Sequence, residues 1–167
     1  MKNRALNKTI DYYLNNSLTI DLVCVILIGI INNYFSAFKF NIGTKENNIS
    51  ILSDIISASI SLAGFILASL TIIVAVKSNL TNKNPESAKN PLELFFSQGN
   101  YKKIIEIFQG SIIELTFTFI TAYIFWISHE NIKLYTLFMV NISLIFVVSI
   151  SVLRSLLVLF KIINIKL

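Results

Sequence analysis

Four long apolar runs constrain this chain more than any other feature of its sequence. They lie at residues 18–38, 51–77, 109–128 and 134–160, and each has about the 20 residues that a helix needs to cross the hydrocarbon core of a bilayer. Only 14% of the 167 residues are charged, against about 25% in a typical soluble domain. We therefore expect an all-α integral membrane protein, built as a single domain of four transmembrane helices.

Two further segments are predicted to lie at the membrane surface. Residues 1–17 place apolar and basic side chains on different helical faces, which is typical of an interfacial helix. Residues 79–108 form a connection in which Pro91 follows Asn90, a favoured start for a helix, and the short helix after Pro91 is too apolar for a free surface. We expect this connection to contact the bilayer or a cytoplasmic partner protein through residues that include Phe95, Phe96, Lys102 and Lys103.

The distribution of Lys and Arg predicts the orientation of the spans. Basic residues accumulate in cytoplasmic loops, and most of the 14 Lys and Arg residues fall on the side of the termini and of the 79–108 connection. The abundance of Ile, Asn and Lys indicates an AT-rich, bacterial genome. We expect a multi-pass inner-membrane protein with cytoplasmic N- and C-termini. The net charge of +5 then favours contact with anionic lipid over direct binding of nucleic acid.

A stripe of small and polar residues follows one face of the second predicted span. Steps of three and four residues along this helix give Asp54, Ser57, Ser61, Gly64, Ala68 and Thr71. Thin helical faces of this kind are where transmembrane helices approach closely, so the stripe predicts helix packing within or between subunits. The alternative is a water-filled pore formed by several copies, with Asp54 near its mouth and hydroxyl groups below it. We favour packing, and an oligomer would satisfy both interpretations.

Two ionisable residues within the predicted spans form the best candidate charge pair. Glu114 and Arg154 lie at similar depths in the third and fourth spans, and the short turn between those spans makes them antiparallel neighbours. Charged side chains are costly inside a membrane and usually pair there. The alternative is that Arg154 extends to the headgroups while Glu114 bonds to Thr118 or to the backbone. Asp21, near the start of the first span, is interpreted as a helix cap.

The sequence has no pattern that indicates catalysis. It contains no HExxH motif, no glycine-rich phosphate loop and no paired intramembrane aspartates, and His129 has no neighbours at metal-ligand spacing. The single cysteine, Cys24, excludes an intrachain disulfide. We therefore expect a protein that is not an enzyme and that binds no cofactor or metal.

The overall organisation of the chain resembles a known class of membrane proteins. Four spans, a small-residue second helix with the sequence SLAGFILASLT at residues 61–71 and a basic amphipathic connection look like the membrane subunits of bacterial antiphage systems, such as that of the Kiwa system. This resemblance implies an oligomeric membrane component that acts with a cytoplasmic partner. We expect a sensor, anchor or effector of a defence or stress system, and the alternative is an ion-conducting channel or small transporter formed by self-association.

Overall fold

The structure is a computed structural model that describes residues 12–13, 16, 19–21, 23–27, 30, 43–79 and 100–163. This part of the chain contains three long helices: α1 (Lys45–Asn79), α2 (Asn100–Ile127) and α3 (Leu134–Ile163). Each is long and apolar enough to cross a membrane. Within the described residues the fold is therefore all-α, with three candidate membrane spans.

Several expectations concern residues that lie wholly or largely outside the described part. They are the interfacial helix at 1–17, the first predicted span at 18–38 and the two phenylalanines, Phe95 and Phe96, of the 79–108 connection. Within the 18–38 segment, the described residues 19–21, 23–27 and 30 are helical.

Helices α1 and α2 begin earlier than the apolar runs inside them. Helix α1 begins at Lys45 instead of residue 51 because Thr44 caps it, its Oγ1 accepting a hydrogen bond from the backbone nitrogen of Asn47 at 3.2 Å. Helix α2 begins at Asn100 instead of residue 109, since the amphipathic run before the third apolar run continues into it without a break. Both differences arise because polar turns extend a helix beyond its hydrophobic length.

The three helices pack side by side, with α2 antiparallel to α1 and α3. One apolar cluster joins the C-terminal half of α1, the N-terminal half of α2 and the C-terminal half of α3, and it contains Ile66, Ile73, Ile104, Ile107, Phe108, Leu115 and Val158. A second cluster joins the opposite halves through Leu52, Ile55, Ala122, Leu137 and Leu144. We call the end of the bundle that holds Lys77 and Lys102 the basic end, and the end with the α2–α3 turn the hairpin end.

Polar contacts fasten α1 to the other helices at the hairpin end. A short 3-10 turn, His129–Asn131, joins α2 to α3. The Asn141 side-chain amide donates to the backbone oxygen of Asn48 at 2.9 Å and to its Oδ1 at 3.1 Å, and both residues are buried. The Lys45 Nζ donates to the backbone oxygen of Glu130 at 3.0 Å. These contacts fix the register between the start of α1 and the hairpin.

Candidate functional site

A buried cluster of charged side chains surrounds Arg154, nearer to the basic end. The Arg154 side chain is fully buried, and its Nη1 donates to Asp21 Oδ2 at 2.9 Å. Its Nη2 donates to Glu114 Oε2, and its Nε and Nη2 donate to Ser111 Oγ at 3.3 and 3.1 Å. The structure thus brings together the predicted charge pair, Glu114 and Arg154, and adds a second carboxylate to it.

Helical spacing and the hairpin place these groups opposite one another. Ser111 and Glu114 stand three residues apart on α2, and Ser151 and Arg154 stand three residues apart on α3, so each pair shares a helical face. The two faces meet because the short turn makes the helices antiparallel. The Ser151 hydroxyl donates to Glu114 Oε2, and Thr118 donates to the Glu114 backbone oxygen at 2.8 Å. Arg154 therefore does not extend to the headgroups. The Glu114 carboxylate accepts from Arg154 and Ser151 and not from Thr118.

Asp21 belongs to this cluster, which corrects its interpretation as a helix cap. Only 4% of Asp21 is exposed, and it lies within helical residues 19–21. Besides the bond from Arg154, its carboxylate accepts from the Tyr13 hydroxyl at 3.1 Å to Oδ1 and 3.3 Å to Oδ2. Burial and the neighbouring Asp21 carboxylate raise the pKa of Tyr13 above its ordinary value, so the hydroxyl keeps its proton and remains a donor.

The position of Asp21 inside a predicted span is a sequence feature that its interpretation as a helix cap does not take into account. An ionisable residue inside a predicted span is a functional candidate by default. Asp21 lies about as deep in the first span as Glu114 and Arg154 lie in the third and fourth. Similar depths make these residues candidates for a shared site, but they do not specify which spans are neighbours.

The cluster has one oxygen that accepts no hydrogen bond. Glu114 Oε1 is buried and has no hydrogen-bond partner among the described residues, while Glu114 as a whole is 6% exposed. A partly open cavity of about 410 Å³ borders Glu114. Its walls are largely apolar and are formed by Asp21, Val25, Glu114, Phe117, Thr118, Thr121, Leu144 and Val147. With two carboxylates and one guanidinium, the cluster carries one more acidic than basic group.

The small-residue stripe of α1 faces away from the other helices. All six of its members are exposed: Asp54, Ser57, Ser61, Gly64, Ala68 and Thr71. Gly64 lies midway between the buried Ile55 and Ile73 and, at about 3.6 residues per turn, half a turn away from them around the helix. A Cβ atom added at Gly64 would meet nothing within 4 Å. Among the described residues, none of the other helices packs against the stripe at Gly64.

The remaining predicted residues lie apart from the cluster. Asp54 borders a groove of about 350 Å³ whose walls include Ala58 on α1 and Ser149 on α3. Lys102 is exposed at the basic end, and Lys103 is partly buried there. Within the described residues, no group of three or more His, Cys, Asp or Glu side chains could hold a metal ion.

Comparisons with known proteins return no relatives: no family model, curated protein or solved structure matches this chain.

Proposed function

We propose that the protein is an oligomeric component of the bacterial inner membrane that serves as a sensor, anchor or effector of a defence or stress system. In this proposal its termini are cytoplasmic, and a cytoplasmic partner protein binds near the 79–108 connection. The exposed stripe of α1 supports the central element, self-association. A thin helical face that the other described helices leave uncovered is suited to close approach by a helix of another copy.

The hydroxyl groups of the stripe are compatible with such an interface. Ser57, Ser61 and Thr71 each donate to the backbone oxygen four residues earlier in α1, at 3.1, 2.9 and 2.9 Å. The face therefore presents backbone-bonded hydroxyls and small side chains, with no unsatisfied donor that lipid would have to accommodate. A second helix could contact it closely without displacing a bulky side chain.

Self-association can be tested by energy transfer between labelled copies in lipid vesicles. Donor and acceptor dyes are attached to a cysteine that replaces the exposed Lys133 in a Cys24→Ala background. In Gly64→Leu, the added side chain holds a neighbouring helix away, and we expect apparent dissociation at a protein-to-lipid ratio about tenfold higher, a change of about 1.4 kcal/mol. Val76→Leu is the matched control, because Val76 is exposed and lies about 80° or more around the helix from Gly64, Ala68 and Thr71, so its enlargement should leave association unchanged.

Two outcomes would contradict this proposal. Energy transfer that is absent from the parent protein at all protein-to-lipid ratios would exclude self-association. Equal energy transfer in Gly64→Leu and in the parent would show that the stripe merely faces lipid.

The second candidate function is ion conduction or small-solute transport by the oligomer. The buried charge cluster and the cavity beside it favour this alternative, because ionisable groups within membrane spans often line ion pathways. Its test uses Asp54→Asn, which keeps the side-chain volume and removes the charge at the groove. If Asp54 lines a pore, this variant should remain associated and should change cation flux or selectivity in vesicles. Unchanged flux in an associated variant would exclude a conducting role for Asp54.

A further inference from the structure

We propose that Glu114 is the proton-binding site of the charge cluster, and that its Oε1 holds a proton that exchanges with water through the adjoining cavity. This inference does not depend on self-association or on the defence function. It concerns the ligand of the charge cluster, which the proposed function leaves unassigned.

The net charge of the cluster indicates that it holds a proton. If Asp21 and Glu114 were both ionised, one guanidinium would face two carboxylates, and a net negative charge would remain at a site that is almost completely buried. An uncompensated charge in a low-dielectric interior is costly, and such groups become neutral instead. Two carboxyl groups that share one site therefore retain one proton between them.

Hydrogen bonding indicates which oxygen holds that proton. Asp21 Oδ1 accepts from Tyr13 and Asp21 Oδ2 accepts from Arg154, so donors already occupy both of its oxygens. Glu114 Oε2 accepts from Arg154 and from Ser151. Glu114 Oε1 is the remaining oxygen and accepts no hydrogen bond among the described residues. A proton placed there removes the excess charge without displacing an existing donor.

Among the described residues, Arg154 is the basic side chain that contacts Asp21 and Glu114. Between Asp54 and Lys77, α1 has no ionisable side chain. On α2 the next acidic residue toward the basic end is Glu106, which is exposed, and on the described part of α3 the charge that faces Glu114 is Arg154. In the described part of the chain, Tyr13, Asp21 and Arg154 are the titratable and charged groups of the cluster around Glu114, and Lys102 and Lys103 lie about three turns farther toward the basic end of α2.

A proton fits this site better than a metal cation does. Hard cations take about six or more oxygen ligands. The described residues contain no cluster of three or more His, Cys, Asp or Glu side chains that could hold a metal ion. The cavity adds the Thr118 and Thr121 hydroxyls beside Glu114, but Val25, Phe117, Leu144 and Val147 make up much of its wall. A proton needs only one oxygen and a path to water.

Infrared spectroscopy of the protein in lipid vesicles tests the proposal directly. We expect the parent protein at neutral pH to show the C=O stretch of one buried carboxylic acid, and the band should shift in D2O because the proton exchanges. Protein made by cell-free synthesis with ¹³C-carboxyl glutamate should shift the band, whereas ¹³C-carboxyl aspartate should not. The Glu114→Gln variant should lose it.

The Asp21→Asn variant provides the sharpest check. With Asp21 neutral, the Arg154 charge is balanced by an ionised Glu114, so we expect the carboxylic acid band to disappear although Glu114 is still present. In this variant Arg154 still faces one ionised carboxylate, as it does in the parent, so the charges stay balanced and the fold should be retained. Glu106→Gln is the matched control, since Glu106 is exposed on the same helix and its loss should leave the band intact.

Three results would overturn the proposal. The first is a parent protein without a carboxylic acid band. The second is a band that follows the aspartate label, because the proton would then reside on Asp21. The third is an absent band together with an unfolding midpoint that rises in NaCl and not in choline chloride, because a metal cation would then balance the cluster.

Discussion

Replacement of Arg154 should destabilise the protein far more than replacement of either acidic partner. In Arg154→Met, the fully buried guanidinium is replaced by an apolar side chain, and Asp21 and Glu114 lose their shared cation. Removal of one member of a buried ion pair typically costs about 3–5 kcal/mol. In Glu114→Gln, the bond between Arg154 and Asp21 at 2.9 Å remains and the charges stay balanced, so we expect a loss of about 1 kcal/mol or less.

Combining the substitutions should recover part of that loss. The triple variant Asp21→Asn, Glu114→Gln, Arg154→Met contains no charge in the cluster, and replacing buried ion pairs by uncharged groups is often nearly neutral. We expect it to be more stable than Arg154→Met alone by about 1–3 kcal/mol, a coupling that contacting residues commonly show. The double variant that lacks only Glu114 and Arg154 keeps an unpaired Asp21, so its recovery should be smaller.

The measurement is equilibrium unfolding in mixed micelles, in which SDS is titrated into a mild detergent. Helical circular dichroism and the fluorescence of Trp126, the single tryptophan, report the transition. Trp126 lies near the hairpin end, away from the cluster, so the variants should not disturb the probe. Leu153→Met is the matched control on α3, because Leu153 is exposed and should change stability by less than about 0.5 kcal/mol. If Arg154→Met costs no more than Glu114→Gln, the cluster is not held together by its charges.

Three further substitutions test other contacts. Tyr13→Phe removes the donor to Asp21 and should cost about 1 kcal/mol by the same unfolding assay, and no loss would mean that Tyr13 does not hold Asp21 in place. Asn141→Leu removes the two hydrogen bonds to Asn48 and should cost about 0.5–1.5 kcal/mol, a prediction that an unchanged midpoint would refute. The topology can be tested with single cysteines at Lys45 and Lys89 in a Cys24→Ala background. An impermeant thiol reagent added to whole cells should label position 45 only. Labelling of position 89 alone would reverse the proposed orientation.

The contact between Glu114 and Arg154 could be predicted because the chain itself constrains it. A turn as short as His129–Asn131 leaves the next two helices no choice but to pack antiparallel. Glu114 and Arg154 lie at similar depths from the opposite ends of the two predicted spans, 109–128 and 134–160, so they are expected near the same level of the bundle. The polar spacing of Ser111 and Glu114 on one helical face added the register.

The role of Asp21 and the direction of the α1 stripe could not be obtained in the same way. No short connection links the 18–38 segment to α3, so the sequence does not specify which helices are neighbours there. In a soluble helix the apolar face identifies the interior, but in a membrane both the interior and the lipid are apolar. The stripe on α1 was therefore visible in the sequence, whereas its outward direction became known only from the packed helices.

Two sets of buried polar contacts, at different depths, fix the register of the described helices, which apolar packing in lipid cannot do. In lipid, apolar contacts such as those of Ile66 and Leu115 gain little over contacts with acyl chains, so they fill space without selecting a register. The Asn48–Asn141 contact near the hairpin end and the Arg154 cluster nearer the basic end each require specific partners, because a slipped register would leave buried polar atoms unsatisfied. Both sets of contacts lie on the inner faces of the described helices. The outer face of α1 is therefore not needed to hold these helices together, and it is available for contact with lipid or with another copy.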